Sequence, residues 1–300
     1  MGRPREVRVR VPGSSANLGP GFDALGLALC LYDEVEVSVA PEGVQIEVSG
    51  EGAGRVPCDE AHLVARAMRT AWDVVGDAPP GIRMRCRNAI PHSRGLGSSA
   101  AAAVAGATAA VVLAGRDAEL ERDTILDVAA GMEGHADNAA ASLLGGFVVA
   151  WESSGNNSQR FHAVRLETHP GIHPVALVAG VESLTSTTRG LLPERVPLAD
   201  AAFTGSRTAL AVLAFTQRPE LLLAATEDRL HQNYRRPAYP ASADLVDALR
   251  RRGIPAAISG AGPTVLALTE DGVLPSDLDL HGFTVRPLPV DGVGAAVEVG

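Results

Sequence analysis

Residues 91–113, PHSRGLGSSAAAAVAGATAAVVL, constrain the fold more than any other stretch. A glycine-rich turn runs straight into a helical segment built almost wholly of alanine, glycine, serine, threonine and valine. A helix so small-sided must pack very closely against its neighbours. The turn itself, Gly95-Leu96-Gly97-Ser98-Ser99-Ala100, follows an alternating strand expected at 82–86. Glycines let a backbone approach an anion closely, and a helix N-terminus offers unpaired N–H groups with a partial positive charge. Ser98 and Ser99 are good N-cap residues, and either hydroxyl suits a Mg²⁺ ion carried by phosphate. Arg94 adds a cation beside the turn. On its own the turn is either an anion site, with phosphate the first choice, or a serine-capped strand–helix connection. A Walker-type loop is excluded because no GK[ST] follows. The dinucleotide pattern G-x-G-x-x-A also fits, yet the acid at its usual distance, Asp117, follows the alanine-rich helix and not a second parallel strand.

The 300 residues point to two domains. With 46% hydrophobic and 20% charged residues the chain reads as globular, and with 4% aromatics its core must come from Ala, Val and Leu. A net charge of −9 argues against nucleic acid as the main partner, so an anionic substrate needs a local cationic pocket. No uncharged apolar run is long enough to span a membrane. Cys30, Cys58 and Cys86 form no CxxC pair, which indicates neither a disulfide framework nor a zinc site. The N-terminal residues lack the apolar stretch of a signal peptide, and the chain reads as cytoplasmic. Strands are expected at 7–11, 32–39, 44–48, 147–151, 161–166, 174–179, 255–268, 283–287 and 296–299. Helices are expected at 62–76, 121–132, 198–216, 219–234 and 241–252. Helices and strands mix without strict βαβ alternation, so the class is α+β. SSGNNSQ (153–159) is the most linker-like segment, which sets domains at 1–155 and 156–300.

Two further clusters resist a purely structural reading. PGSSANLGPGFDALGLAL (12–29) sets Ser14, Ser15, Asn17 and Asp23 among backbone breakers, more hydrogen-bonding groups than a plain loop needs. AAISGAGPTVLAL (256–268) is another glycine-rich turn between apolar residues. Taken singly, that turn reads as a tight hairpin. Three such turns, one near each end and one central, read together as segments converging on one phosphate-bearing ligand.

SANLGPGFD, IPHSRGLGSSAAA, EGH-x-DN-(x₆)-GG and SGAGPT, in this order from Val11 to about Val265, resemble the motifs of the GHMP kinases, and among them those acting on homoserine. The resemblance implies an N-terminal domain with a left-handed βαβ unit, a ferredoxin-like C-terminal domain and an active site between them. It implies transfer of the γ-phosphoryl group of ATP to the side-chain hydroxyl of L-homoserine, giving O-phospho-L-homoserine in threonine biosynthesis. It also implies Mg²⁺ and a homodimer.

Residue by residue, the resemblance assigns the ATP site to Pro91, Arg94, Gly95, Leu96, Gly97, Ser98, Ser99 and Ala100. Mg²⁺ falls to Ser98 and Glu133, although many relatives place more residues between this Glu and the DN pair. Homoserine falls to Asn17, Asp23, His135, Asp137, Thr185, Arg189 and Arg235, the two arginines serving its carboxylate. The order Tyr-Arg selects Arg235 over Arg236. Asn138 stands where other members of the family carry a catalytic Asp, so catalysis is expected to rest on alignment and charge neutralisation. Ala136 replaces a common Pro in HADN, and His62 stands where some relatives have Asn near the adenine.

Overall fold

The computed structural model describes residues 3–155, 158–183 and 185–300. The first half runs β1 (Glu6–Asn17), β2 (Gly21–Ala40), β3 (Gly43–Gly50), α1 (Leu63–Val75), β4 (Gly81–Asn88), α2 (Ser98–Leu113), α3 (Arg122–Glu133), α4 (Asp137–Leu144), β5 (Phe147–Gly155) and β6 (Ser158–Leu166). The second runs β7 (His173–Ala179), α5 (Thr185–Arg189), α6 (Leu198–Thr216), α7 (Leu222–Ala225), α8 (Gln232–Arg235), α9 (Pro240–Arg251), β8 (Ala256–Ile258), β9 (Val265–Thr269), β10 (Phe283–Pro287) and β11 (Ala296–Val299). Two sheets result. Seven strands form the first, in the order β11-β1-β2-β4-β3 with β5 and β6 branching from β2, and the second is β10-β7-β9-β8. The class is α+β, as expected.

The first sheet follows from alternation. Val7, Val9 and Val11 point into the core while Arg8 and Arg10 point out. β1 and β2 pair antiparallel over nearly their whole length. β3 and β4 are parallel and joined by α1, which makes a βαβ unit. β4 then leads through residues 89–97 into α2.

Helix α2 explains why its side chains are small. It is buried on every side, packed against α1, α3, α4 and β1. A Cβ on Gly106 would lie 2.4 Å from the Val64 carbonyl oxygen, so α1 and α2 approach backbone to backbone there. Trp72 Nε1 donates to the Ala110 carbonyl at 3.1 Å across the same contact.

Three expectations need correction. SSGNNSQ is not an interdomain linker: β5 and β6 pair on either side of it, so β6 stays in the first sheet and the chain leaves for the second after Leu166. Asn156 and Asn157, which suggested the linker, lie outside the described residues. The segment 12–29, counted above as one of three glycine-rich turns, is mostly the extended ends of β1 and β2 around a three-residue turn. Finally, the helix expected at 219–234 is broken into a 3₁₀ turn, α7 and α8, because the Asp228 carboxylate accepts from the amides of Leu230, His231 and Gln232 and starts a new helix there. The third glycine-rich turn lies, as expected, between two strands, β8 and β9, which pair antiparallel. Among the described residues no helix is long and apolar enough to cross a membrane.

Candidate active site

The three turns meet. The Ser14 amide donates to the Leu96 carbonyl at 3.0 Å, joining the first turn to the second. The Gly260 amide donates to the Ala16 carbonyl at 3.0 Å and Asn17 Nδ2 donates back to the Gly260 carbonyl at 2.8 Å, joining the first to the third. Ser259 Oγ donates to the Gly95 carbonyl at 2.6 Å and closes the ring. The fit leaves no room for side chains: a Cβ on Gly95 would sit 2.2 Å from the Ser259 carbonyl oxygen, and one on Gly97 at 2.2 Å from Ser14 Oγ. Both glycines also have positive φ, 78° and 70°.

A cavity of about 420 Å³ opens where they meet. Its floor is the start of α2, where Gly97 is the N-cap and supplies no side-chain acceptor, so the first-turn amides keep no internal partner. Gly95, Leu96, Gly97, Ser98 and Ser99 all line the cavity, as does Pro91. Ala100 does not; it faces the core, fully buried. Arg94 lines the cavity but is not a free cation. Its guanidinium donates to the carbonyls of Ala179, Gly180 and His92 and lies 3.6 Å from Glu182, so it docks the second sheet onto the loop.

Glu133, the last residue of α3, reaches the same floor. Ser99 Oγ, not Ser98, donates to it at 2.8 Å. Burial raises its pKa against the opposing pull of Ser99 and His135, a sign of a carboxylate short of cationic company. Two serine hydroxyls and a half-buried carboxylate beside an anion site are a hard oxygen set, and they fit a magnesium ion.

At the other end lie the acids and arginines. Asn17 and Asp23 adopt left-handed backbone, φ 66° and 55°, a conformation that Asn and Asp tolerate. Asn17 Oδ1 accepts from the Asp23 backbone amide at 3.0 Å, so both ends of the Asn17 side-chain amide already hold the wall together. Asp23 makes a two-pronged pair with Arg189, 2.7 and 3.0 Å. His135 Nδ1 lies 2.8 Å from the buried Asp137, whose same oxygen accepts from the Asn138 amide at 2.8 Å. Burial alone would depress the pKa of His135; Asp137, Asp23 and Glu133 around it outweigh burial and raise it. Asn138 is engaged too, accepting the Ser14 hydroxyl through Oδ1 at 2.9 Å. For Thr185, only its place at the start of α5 is described.

Arg235 is 1% exposed, yet its Nε has no partner among the described residues. Nη1 has only weak contacts, 3.3 Å from His231 Nδ1 and 3.4 Å from the Gly260 carbonyl. A buried, incompletely paired guanidinium on a cavity wall is a seat for an anion. Phe22 lies 5.3 Å from the Arg189 guanidinium and 5.4 Å from that of Arg235. Sequence reasoning missed Phe22 and His231 as site residues. His231 was legible, one helical turn before Arg235.

It also missed Asp33, a buried acid on the wall of the cavity's apolar end. Asp33 shares the inward register of β2 with Val35 and Val37, which was the available signal. Its Oδ1 accepts from the amides of Ala89 and Ile90 at 2.7 and 2.9 Å, and so holds the segment that leads to the phosphate turn. Burial raises its pKa to about 6, more than those two amides lower it. A carboxyl whose folded pKa is raised favours folding fully below its unfolded value, and that contribution is lost as pH climbs from about 4 through about 6. Asp33→Asn keeps the accepting oxygen without the charge. Its melting temperature will stay flat over that window where the wild type's falls, and at pH 7 the variant gains at most about 3 kcal/mol. A wild-type decline that persists unchanged in the variant would assign it to other groups.

Comparison with known proteins agrees with this geometry. The family described as GHMP kinases N terminal domain matches residues 61–146, and GHMP kinases C terminal matches 207–276. A homoserine kinase of Streptomyces avermitilis is 53% identical over 298 residues, 98% of this chain and 96% of its own. One of Rhodococcus opacus is 51% identical, covering 96% of each. The crystal structure of homoserine kinase from Cytophaga hutchinsonii superposes with a TM-score of 0.83 at 26% identity over 99% of both chains. Mevalonate diphosphate decarboxylase from Staphylococcus aureus, at 18% identity and TM-score 0.69 over 98% of each chain, shares the fold. The chain belongs to the GHMP kinase family. Its place there is among the homoserine kinases, and it is an ATP-dependent kinase acting on an alcohol.

Proposed function

We propose that the alcohol is the side-chain hydroxyl of L-homoserine, and that the observation carrying this assignment is the underpaired, buried Arg235 facing the Asp23–Arg189 pair. An α-amino acid brings one ammonium and one carboxylate. Asp23 and the His135–Asp137 pair supply negative charge for the first, and Arg235 with Arg189 supplies cations for the second. The Asp23–Arg189 pair already holds one charge of each sign, so a zwitterion entering between them exchanges partners and leaves no charge unpaired. Thr185 stands four residues before Arg189 and assists there. Arg94, with its donors taken by carbonyls, drops from the ATP contacts to a scaffold role.

ATP phosphates lie against the free amides of α2, and Ser98 and Glu133, with Ser99 beside them, would hold the magnesium ion. When bound, that ion neutralises charge on the transferring phosphoryl group. The chain's own residues do the rest. Asp23 and the arginines fix the substrate so that its hydroxyl points to the phosphates, converting an encounter into an aligned attack. Asn138 is an amide and already bonded to Ser14, so it takes no proton. A loose phosphoryl-transfer transition state asks mainly for position and countercharge, and the site is built for those. The protein works in the cytoplasm, where its donor ATP is supplied.

Coupled ADP release should be fast with L-homoserine and Mg²⁺ and negligible with mevalonate, galactose or shikimate. Faster turnover of mevalonate or a sugar would overturn the assignment.

A further inference from the structure

Arg235 owes its orientation to a residue outside the substrate contacts. His231 is fully buried, and its Nε2 lies 2.7 Å from the Gly19 carbonyl oxygen. A carbonyl only accepts, so Nε2 carries the proton and Nδ1 is bare. That bare nitrogen faces Nη1 of Arg235 at 3.3 Å. Phe22 closes another side of the imidazole, with ring centroids 5.3 Å apart. The charged groups around the ring are Asp228, 3.6 Å from Nε2, together with Arg235 and Asp23. Burial, helped by Arg235, outweighs the two acids and lowers the ring's pKa, which keeps it neutral.

On the reading of the substrate given above, we propose that His231 is a positioning residue for the substrate carboxylate: its Nδ1 draws Nη1 of Arg235 toward the protein and so fixes the guanidinium on the cavity wall where the ligand meets it. A relay thus runs from the Gly19 carbonyl, in the first glycine-rich turn, through the imidazole to the cation. The other acceptor for Nη1, the Gly260 carbonyl, is more distant at 3.4 Å and shared with Asn17 Nδ2, which makes it the weaker partner.

Two substitutions separate hydrogen bonding from volume. His231→Asn places an amide oxygen near the position of Nδ1 and keeps an acceptor for Arg235. His231→Gln reaches toward Gly19 and loses that acceptor. The Gln variant should raise the homoserine KM about tenfold, the scale of a weakened charge-assisted bond, with kcat and the ATP KM within about twofold. The Asn variant should stay within about threefold of wild type. Homoserine lactone, which lacks the carboxylate, should bind wild type and the Gln variant equally in calorimetry. Equal KM rises in both variants would make ring volume the requirement and overturn the proposal, as would an unchanged KM in both. Failure of the substrate reading looks different, since the wild-type enzyme would then show no homoserine turnover at all.

Discussion

Glu133→Gln will lower kcat by about 10²–10³, the usual cost of losing one preorganised electrostatic contact. The substitution is nearly isosteric, and the new amide oxygen still accepts from Ser99 Oγ, so the 2.8 Å bond and the α2 N-terminus survive. What disappears is the negative charge. Burial already raises the Glu133 pKa, so removing the charge relieves a desolvation cost, and the melting temperature should hold or rise. Apparent magnesium affinity should fall with kcat. Ser98→Ala should show the same signature through the other ligand. Near-wild-type kcat at saturating Mg²⁺-ATP in both would return this corner to a helix-end carboxylate and a serine-started turn.

Arg235→Leu should raise the homoserine KM by roughly ten- to a hundredfold, the value of a charge-assisted pair of about 1.5–3 kcal/mol. The carboxylate keeps its charge as the phosphoryl group moves, so the loss falls on binding, with some kcat lost only through misalignment. The fold should tolerate the change, because an apolar side chain replaces a buried guanidinium whose Nε had no partner. Arg189→Leu should cost less. Its side chain is 41% exposed, and its guanidinium spends both prongs on Asp23 before any ligand arrives. The ATP KM should barely move in either variant. A selective rise for ATP, or no change for homoserine, would refute the carboxylate clamp.

Much of this site was readable from residue order, and the reasons are local. Gly95, Gly97, Ser98 and Ser99 announce a close-approach turn before a helix because few other residues permit one. Asn17 and Asp23 announce themselves as polar groups amid glycines. What could not be read was allegiance. Nothing in the sequence says that Glu133 takes the hydroxyl of Ser99 and not Ser98, or that Arg94 spends its donors on Ala179 and Gly180. Those depend on where a second sheet docks, which is a property of tertiary packing. The linker reading of 153–159 has the same origin: Asn-Asn-Ser suits a turn as well as a linker, and only the pairing of β5 with β6 decides. Asp33 was legible in principle, as an acid in the inward register of an otherwise apolar strand.

The ring of bonds among residues 14–17, 95–97 and 259–260 has a bearing on how the molecule comes into being. Each bond spans tens to hundreds of residues of chain, and β1 pairs with β11 across almost the full length. Loop-closure entropy falls due before such distant contacts return anything, which slows assembly. During synthesis the anion-binding floor at α2 emerges long before the strand pair β8–β9 that completes its wall. A half-made chain therefore carries the helix N-terminus without the enclosure, and ligand affinity arrives in a single late step. For the same reason nucleotide and amino acid, by bridging all three turns, should slow global unfolding more than local fraying.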